Sequence, residues 1–394
     1  MRRLALLFVV LMSGSAAAEP GGLAHDAYVW QRQGTPEVAA AMAQTADLMR
    51  AWRVLGGQSD RGAALKTFPA DGAALNPSGR PVVMVVRIDG PRAMWHPQDL
   101  PARIAALAHG WRAQGVALAG VELDHDSATA RLPDYARLIA AVRDRLDSGL
   151  RLSVTALPTW LDSPDFDLVL AAVDEVVLQV HGVDPAPQPL FDVRRALGWV
   201  TQLSRRTTKP FRVALPAYGV GVVQVNGRVV AVEAEAALLA GGDARSELVA
   251  EPADVAAFLS GMARERPGNL VGVVWFRLPT ARDRRAWSLA TLRAVITGQP
   301  LRPDLRLELV ANDTPGLLRV VLVNRGTVDA RLPRALRLPA RCTPADGVNG
   351  YSLDRGSDGA TLRRNRDGML RGQARLDVGW MRCAASAEDV DVIP

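Results

Sequence analysis

Lysine is nearly absent from this sequence of 394 residues. Only Lys66 and Lys209 occur, so arginine supplies almost all of the positive charge behind the net charge of +6 and the pI near 9.9. The arginines are spread over every segment of the chain, which does not predict the single basic face that phosphate groups require. We therefore expect no nucleic-acid partner.

Several common catalytic signatures are also missing. The chain has no Gly-x-Ser-x-Gly nucleophile elbow, no Walker phosphate-binding loop and no His-Glu-x-x-His zinc motif. Asp124, Asp126 and His181 could supply metal ligands, but their spacing is not diagnostic of any metal site. We expect neither a metal nor another cofactor.

Long apolar runs are confined to the N-terminus. Two arginines are followed by an apolar run over Leu4–Met12 and by the small residues of Ala16–Ala18, an order that predicts a secretory signal peptide cleaved near Ala18. The run is shorter than the roughly 20 residues of a membrane span, and no later stretch qualifies. No cysteine follows the small residues, so no lipoprotein anchor is predicted. We expect an exported protein, periplasmic or secreted, without a membrane span.

The only two cysteines are Cys342 and Cys383, both in the last quarter of the chain. In an oxidising compartment they predict a disulfide worth about 4 kcal/mol in the chain-entropy account. Two buried free thiols are the alternative. No histidine accompanies them in sequence, so we expect a structural and not a catalytic role.

Short apolar runs alternate with longer amphipathic stretches between residues 19 and 300, which predicts a parallel sheet wrapped by helices. Eight strands can be counted, the number of a (β/α)8 TIM barrel, an α/β fold. The predicted strands are Ala27–Gln31, Trp52–Gly56, Pro81–Asp89, Leu118–Asp126, Leu150–Leu157, Glu175–Gly182, Phe211–Gly219 and Leu270–Leu278.

Two stretches depart from this alternation. Asn226-Gly227 between valine-rich arms predicts a hairpin inserted at about 220–232, in a loop on the side where such barrels keep their sites. Beyond Pro300, short strands follow one another without helices, which predicts a small all-β sandwich of immunoglobulin-like type. The predicted segments are thus a signal peptide over 1–18, a barrel over 19–300 and a sandwich over 301–394.

Three acidic residues end the fourth predicted strand. Residues two apart in a strand share a face, so Glu122, Asp124 and Asp126 line up, while Val121 and Leu123 face the helices. Three neighbouring carboxylates inside a barrel repel one another and lose hydration, a cost that favours a catalytic role. At least one should have a raised pKa that suits it to protonate a leaving group near neutral pH.

A purely structural arrangement is the alternative. Glu122 and Asp124 would then pair with barrel arginines such as Arg87 or Arg277, and only Asp126 would lie near solvent. Two carboxyl groups about 5 Å apart across a cleft would suit a retaining glycosidase, whereas closure by either arginine would favour the structural alternative.

Polar and aromatic side chains end the neighbouring strands, and the carboxyl ends of strands converge in this fold. Carboxylates among aromatic rings suit a sugar, because its apolar faces stack on the rings while its hydroxyls bond to acids and guanidiniums. We therefore predict a carbohydrate ligand. The predicted substrate contacts are Trp30, Arg87, Asp89, Gln179, His181, Tyr218, Trp275 and Arg277.

Two motifs carry a family resemblance. The Gly-Val-Glu-Leu-Asp-His-Asp run at 120–126 resembles the end of the chitinase-type (family 18) glycoside hydrolase signature, Gly-apolar-Asp-apolar-Asp-aromatic-Glu. The Leu-Pro-Ala-Tyr-Gly run at 215–219 is similar to that family's seventh-strand Leu-Pro-x-Tyr-Gly. The mature chain as a whole is identified as a member of a bacterial family described as domain of unknown function 3142.

This resemblance implies roles for the three acids and a retaining reaction. Asp126 takes the place of the general acid, Asp124 that of the residue that orients the substrate's acetamido group, and Glu122 that of an outer supporting Asp. The chain departs from the pattern at several positions. The expected Glu is Asp126, one methylene shorter, and the sixth strand reads Leu-Gln-Val-His at 178–181 where the family has Met-x-Tyr-Asp, so the Tyr that would hold the acetamido group is missing. The family's third-strand Ser-x-Gly-Gly motif is absent, and Trp275 is displaced by about one position from the family's eighth-strand Trp.

The leading hypothesis is an exported glycoside-hydrolase-like protein that acts on a polysaccharide or cell-envelope glycan. One alternative is a catalytically inactive carbohydrate-binding barrel, which the Glu-to-Asp change at Asp126 and the missing sixth-strand Tyr favour. Another is an envelope scaffold that docks a partner through the sandwich. The sequence predicts neither the glycan nor the oligomeric state.

Overall fold

Eight parallel strands close into a barrel in the computed structural model of the protein. The structure describes residues 22–60, 64–90, 99–182, 188–225, 228–233, 244–283, 285–356, 359–365 and 368–394. The predicted signal peptide and the Asn226-Gly227 turn lie outside the described residues and stay predictions.

The strands that precede residue 300 form the barrel and a small separate sheet. In chain order they are β1 (Ala24–Val29), β2 (Ala51–Ser59), β3 (Lys66–Thr67), β4 (Val82–Ile88), β5 (Leu118–Asp124), β6 (Arg151–Ala156), β7 (Glu175–Gln179), β8 (Phe211–Pro216), β9 (Gly219–Val225), β10 (Arg228–Glu233), β11 (Ala244–Val249) and β12 (Leu270–Phe276). The barrel order is β1-β12-β8-β7-β6-β5-β4-β2, and β1 pairs with β2 to close it. The predicted (β/α)8 barrel is confirmed.

Helices connect the strands around the outside. They are α1 (Pro36–Thr45), α2 (Gly72–Leu75), α3 (Asp99–Ala113), α4 (Leu132–Arg143), α5 (Phe166–Ala172), α6 (Val193–Arg206), α7 (Pro252–Arg264) and α8 (Leu289–Thr297). Capping residues set several ends: the Thr35 side chain accepts from the N–H of Val38 at α1, and the Ser288 side chain accepts from the N–H of Thr291 at α8. Gly298 ends α8 in the left-handed conformation, φ 67°.

Alternation along the strands separates two apolar layers. Outward side chains pack between strands and helices, where Trp52, Trp111 and Trp160 are fully buried. Inward side chains form a smaller cluster inside the barrel. Its buried members are Tyr28, Val85, Val177, Ala214 and Val274. Among the described residues, no helix has the length and apolarity to cross a bilayer.

A three-stranded antiparallel sheet follows β8. β9 pairs with β10 on one side and with β11 on the other. β9 and β10 are the two arms of the predicted hairpin, whereas β11 and α7 were not predicted. This sheet leaves the barrel at the carboxyl end of β8, beside Tyr218.

Antiparallel sheets make up the region after residue 300. Its strands are β13 (Leu305–Ala311), β14 (Leu317–Asn324), β15 (Ala330–Arg331), β16 (Ala335–Arg337), β17 (Ala345–Gly347), β18 (Tyr351–Gly356), β19 (Gly359–Arg364), β20 (Met369–Leu370), β21 (Arg375–Arg382) and β22 (Asp391–Ile393). The sheets β13-β14-β21-β17 and β18-β19-β16-β22 enclose one apolar core, so the predicted all-β region is confirmed. Its immunoglobulin-like topology stays a prediction. Cys342 and Cys383 form the predicted disulfide.

Candidate functional site

The three acids on and after β5 lie at different depths in the barrel. Glu122 and Asp124 point inward, while Val121 and Leu123 are fully buried against the helices. Glu122 is completely buried, Asp124 is 5% exposed, and the Asp126 side chain is 47% exposed just beyond the strand end. Only Asp124 and Asp126 therefore reach the mouth of the barrel.

The deepest acid belongs to a buried ionic network centred on Arg53 of β2. Arg53 is 2% exposed and pairs with three carboxylates, those of Asp26, Glu122 and Glu175. Its Nε lies 3.2 Å from Asp26 and its Nη2 lies 2.6 Å from Glu175. Arg212 adds a second cation, with its Nε 3.2 Å from Glu175. This network lies inside the barrel, together with the apolar cluster of inward side chains.

Two hydroxyls complete the surroundings of Glu122. The Tyr28 hydroxyl donates to its Oε1 at 2.5 Å, and the Ser153 hydroxyl donates to its Oε2 at 2.9 Å. Burial raises the pKa of Glu122, and the attraction of Arg53 opposes that rise. Glu122 lines neither cavity, and it contacts Arg53, Tyr28 and Ser153 in the barrel interior.

Sequence reasoning missed Arg53. It lies in the strand with the least distinct pattern, and the available signal was one charged residue inside the apolar run Trp52–Gly56. A lone buried arginine implies carboxylates on facing strands, because a charge in the interior needs partners.

A second arginine, Arg87 of β4, connects the acids at the mouth. Its Nε donates to Asp89 at 2.8 Å, its Nη1 to Asp124 at 2.9 Å and its Nη2 to Asp126 at 2.7 Å. The Thr155 hydroxyl donates to the other oxygen of Asp124 at 2.7 Å. Burial raises the pKa of Asp124, Arg87 opposes this, and the charge of Asp126 adds to it.

The predicted structural alternative is therefore met in part. Asp124 pairs with Arg87 as that alternative stated, but Glu122 pairs with Arg53 and not with either arginine named from the sequence. Arg277 is buried, and its Nη2 donates to Asp283 at 2.5 Å. Arg87 thus forms ion pairs with Asp124 and Asp126, two of the carboxylates that the sequence predicted to be catalytic.

A cavity of about 500 Å³ opens above this arginine. Eight of the residues predicted for the site line it: Trp30, Arg87, Asp89, Asp124, Asp126, Gln179, His181 and Tyr218. Trp30 and Tyr218 each lie 5.2 Å from the ring of Phe276, measured between ring centroids, and both contacts are edge-to-face. The result is an aromatic wall facing a row of carboxylates, which is the arrangement that the sequence reasoning expected for a sugar site.

A second cavity of about 380 Å³ adjoins the first. The two share Asp126, Gln179 and His181 as lining residues, so the exposed carboxyl of Asp126 borders both. Trp199 of α6 lines the second cavity, and the guanidinium carbon of Arg195 lies 4.8 Å from the centroid of its ring. Sequence reasoning missed this part of the cleft because Trp199 lies well inside a helix and not at a strand end.

Two predicted contacts need correction. Trp275 is fully buried on the outer face of β12, where its ring stacks on His25 with 5.9 Å between centroids, and it does not line either cavity. Its neighbour Phe276 points inward and lines the first cavity instead. Arg277 also lies outside both cavities. The side-chain alternation of β12 is shifted by one relative to the prediction.

Across the ranges that the structure describes, no group of three or more histidines, cysteines, aspartates and glutamates is placed to hold a metal ion. The side chains that line the cleft include carboxylates, guanidiniums, an imidazole and aromatic rings.

The barrel and its acidic, aromatic cleft define a glycoside-hydrolase-like TIM barrel. The chain belongs to the family described as domain of unknown function DUF3142, whose profile matches residues 78–281. The C-terminal region matches a second family, domain of unknown function DUF8456, over residues 307–384. No curated protein matches the chain.

Solved structures share the fold. The spore cortex-lytic enzyme SleL of Bacillus cereus aligns with a TM-score of 0.50 at 12% identity, over 72% of this chain and 76% of that chain. A chitinase from Chromobacterium violaceum gives 0.50 at 16% identity, over 70% and 98%. A chitinase from Bacteroides thetaiotaomicron gives 0.51 at 10% identity, over 70% and 96%. At these identities the likeness establishes the fold alone.

Proposed function

We propose that the protein hydrolyses glycosidic bonds of a polysaccharide or cell-envelope glycan, with Asp126 as the general acid and Asp124 as its partner. The position of Asp126 carries this proposal. Its half-exposed carboxyl stands where the two cavities meet, so a glycan lying along the cleft presents a glycosidic oxygen to it. The fold shared with chitinases and a cortex-lytic enzyme supports a glycan substrate.

The surroundings of Asp126 suit acid catalysis in one respect. A general acid needs a source of protons near neutral pH, and burial raises the pKa of Asp124, the neighbour of Asp126, which favours a proton on the Asp124 carboxyl. The wall of Trp30, Tyr218 and Phe276 offers ring faces and edges for the apolar side of a sugar.

A second candidate function is glycan binding without turnover, and the contacts of Arg87 favour it. Arg87 donates to Asp89, Asp124 and Asp126 together, so its guanidinium already pairs with the carboxyl proposed as the general acid, and it opposes the rise in the pKa of Asp124. In that case the carboxylates accept hydrogen bonds from sugar hydroxyls, and no bond is broken.

One experiment separates the two candidates. The purified protein is incubated with hexasaccharides of glucose, N-acetylglucosamine and glucosamine, with peptidoglycan as a polymeric substrate, and products are followed by mass spectrometry. We expect shorter products from wild type and none from Asp126→Asn. Asp147→Asn, which removes an exposed carboxylate paired with Arg112 far from the cleft, is the matched control and should cleave as wild type does.

Saturable binding of a hexasaccharide without product, retained by Asp126→Asn, would select the binding candidate and contradict hydrolysis. Neither binding nor cleavage of any of these glycans would overturn both. A retaining reaction, as the family resemblance implies, would release the product initially in the anomeric form of the substrate, which NMR of early time points measures.

We also propose that the protein is exported. The order of residues over 1–18 predicts cleavage near Ala18, and the Cys342–Cys383 disulfide suits an oxidising compartment. N-terminal sequencing of the mature protein from cell fractions should begin at or close to Glu19. A cytoplasmic protein that retains Met1 would contradict this.

A further inference from the structure

His181 keeps a buried nitrogen without a partner at the centre of the cleft. The side chain is 8% exposed, and among the described residues its Nε2 has no hydrogen-bond partner. A buried polar atom that stays unpaired costs about 1–3 kcal/mol. Of the six such atoms among the described residues, this is the one whose residue lines the two cavities. The unpaired Nε2 therefore needs an explanation that packing does not give.

The rest of the imidazole is held in place. Its Nδ1 lies 3.3 Å from the hydroxyl of Tyr218, and its ring stacks on Phe276 with 5.7 Å between centroids and 29° between planes. The backbone carbonyl of His181 accepts a bond from the Gln179 side chain at 3.0 Å. The orientation of Nε2 is thus fixed before any ligand arrives, which is the preorganisation that a recognition group needs.

The location of this ring matters as much as its fixation. His181 lines both cavities, as Asp126 does. A ring-shaped ligand unit at the junction would meet the exposed carboxyl of Asp126 and the imidazole of His181 together. His181 therefore lies beside the carboxyl at which the proposed reaction takes place.

We infer that Nε2 of His181 binds a hydroxyl group of the sugar unit that occupies the junction of the two cavities. A hydroxyl both donates and accepts, so it satisfies Nε2 whichever way the proton between Nδ1 and Tyr218 is arranged. This inference rests on the proposed function, since it assumes that the cleft receives a glycan. It makes His181 a positioning residue for neutral sugar hydroxyls.

The charge state of the imidazole supports a neutral partner. Burial lowers the pKa of His181 to about 3, so the ring is uncharged over the physiological range. Among the described residues that line the two cavities, four carboxylates face three guanidiniums, so negative charge is in excess by one. The carboxylates are those of Asp89, Asp124, Asp126 and Asp192, and the guanidiniums those of Arg32, Arg87 and Arg195. An anionic sugar such as a uronic acid would be repelled at this position, whereas a neutral hydroxyl would not.

The test compares His181→Phe with wild type in calorimetric titrations of the glucose and N-acetylglucosamine hexasaccharides. Phenylalanine preserves the ring contact with Phe276 and removes both nitrogens. We expect binding of the preferred hexasaccharide to weaken about threefold to tenfold, the range of one neutral hydrogen bond. His25→Phe removes a histidine at the opposite end of the barrel, where its Nδ1 accepts from Trp275, and should bind as wild type does.

A spectroscopic readout keeps the test independent of how the variant folds. In wild type, the 15N resonance of His181 Nε2 should shift on titration with the hexasaccharide, while that of His25 should not. Binding by wild type that His181→Phe retains in full, or an Nε2 resonance that does not move at saturation, would overturn the inference and leave the proposed function intact. Absence of wild-type binding to either hexasaccharide would overturn the inference, and absence of binding to every glycan of the larger set would overturn the proposed function as well.

Discussion

Removing Arg53 should destabilise the barrel strongly, and the loss should depend on pH. The substitution Arg53→Met keeps a similar length and removes the charge. It takes away the only described cation in contact with Glu122, which is fully buried, and it leaves Arg212 to neutralise Asp26 and Glu175. Breaking a buried ion pair by removing one partner costs about 3–5 kcal/mol, because the other charge stays buried without compensation.

The pH dependence follows from Glu122. Its folded pKa is already raised above the ordinary value of 4.5 by burial, and Arg53 is the main opposing influence, so the substitution raises it further. A carboxyl with a raised folded pKa contributes stability that is fully present below its unfolded pKa and is lost as the pH rises through the folded pKa. The destabilisation should therefore be larger at about pH 8 than at about pH 5, with up to roughly 1.4 kcal/mol per pH unit in the window where only the folded state binds the proton.

Urea unfolding followed by tryptophan fluorescence at these two pH values measures the effect. Arg53→Met combined with Glu122→Gln should recover part of the stability at about pH 8, because the uncompensated charge is gone. Arg112→Met, which breaks an exposed pair, is the control and should cost less than about 1 kcal/mol. A loss below about 1 kcal/mol for Arg53→Met, or equal losses at both pH values, would refute the reasoning.

Three further predictions concern other parts of the chain. Replacing Cys342 and Cys383 by serine should lower the stability of the C-terminal region by about 4 kcal/mol. Hydrogen exchange should then show faster opening of residues 305–393 and unchanged protection of the barrel. An equal loss of amide protection in the barrel and in the C-terminal region would contradict this prediction. Arg87→Gln should raise the pKa of Asp124 further, because burial then acts with less opposition, and a carboxyl 13C titration with an unmoved midpoint would contradict it. His181→Gln should reduce the loss of stability that accompanies acidification below about pH 6. A buried histidine whose folded pKa is about 3 contributes stability above its unfolded pKa of 6.5, and this contribution is lost as the pH falls. An unchanged slope of the unfolding free energy against pH would contradict this prediction.

The sequence predicted most of the barrel because its signals are local. Each strand is a short apolar run, and each helix an amphipathic stretch, so the eight strands were found with ends shifted by a few residues. The inward face of β5 was also predictable, since Glu122 and Asp124 alternate with apolar neighbours whose outward direction is evident. The same local signals indicated the hairpin arms β9 and β10.

Pairings across the barrel were not predictable in the same way. Which arginine meets which acid depends on strands far apart in sequence, and Arg53 contacts Glu175, 122 positions away. The direction of Trp275 failed for a related reason, because β12 is apolar on both faces and its pattern cannot say which side chain points inward. The orientation of the His181 ring, and with it the unpaired Nε2, depends on contacts with Tyr218 and Phe276 that no local pattern reveals.

The central claim is that the cleft around Asp126 breaks glycosidic bonds, and incubation in water enriched in 18O tests it most directly. Cleavage of a hexasaccharide by wild type should place one 18O atom at each newly formed reducing end, and Asp126→Asn should release no labelled product. Intact, unlabelled hexasaccharides after incubation with the wild-type protein, or equal labelling by the variant, would contradict the account.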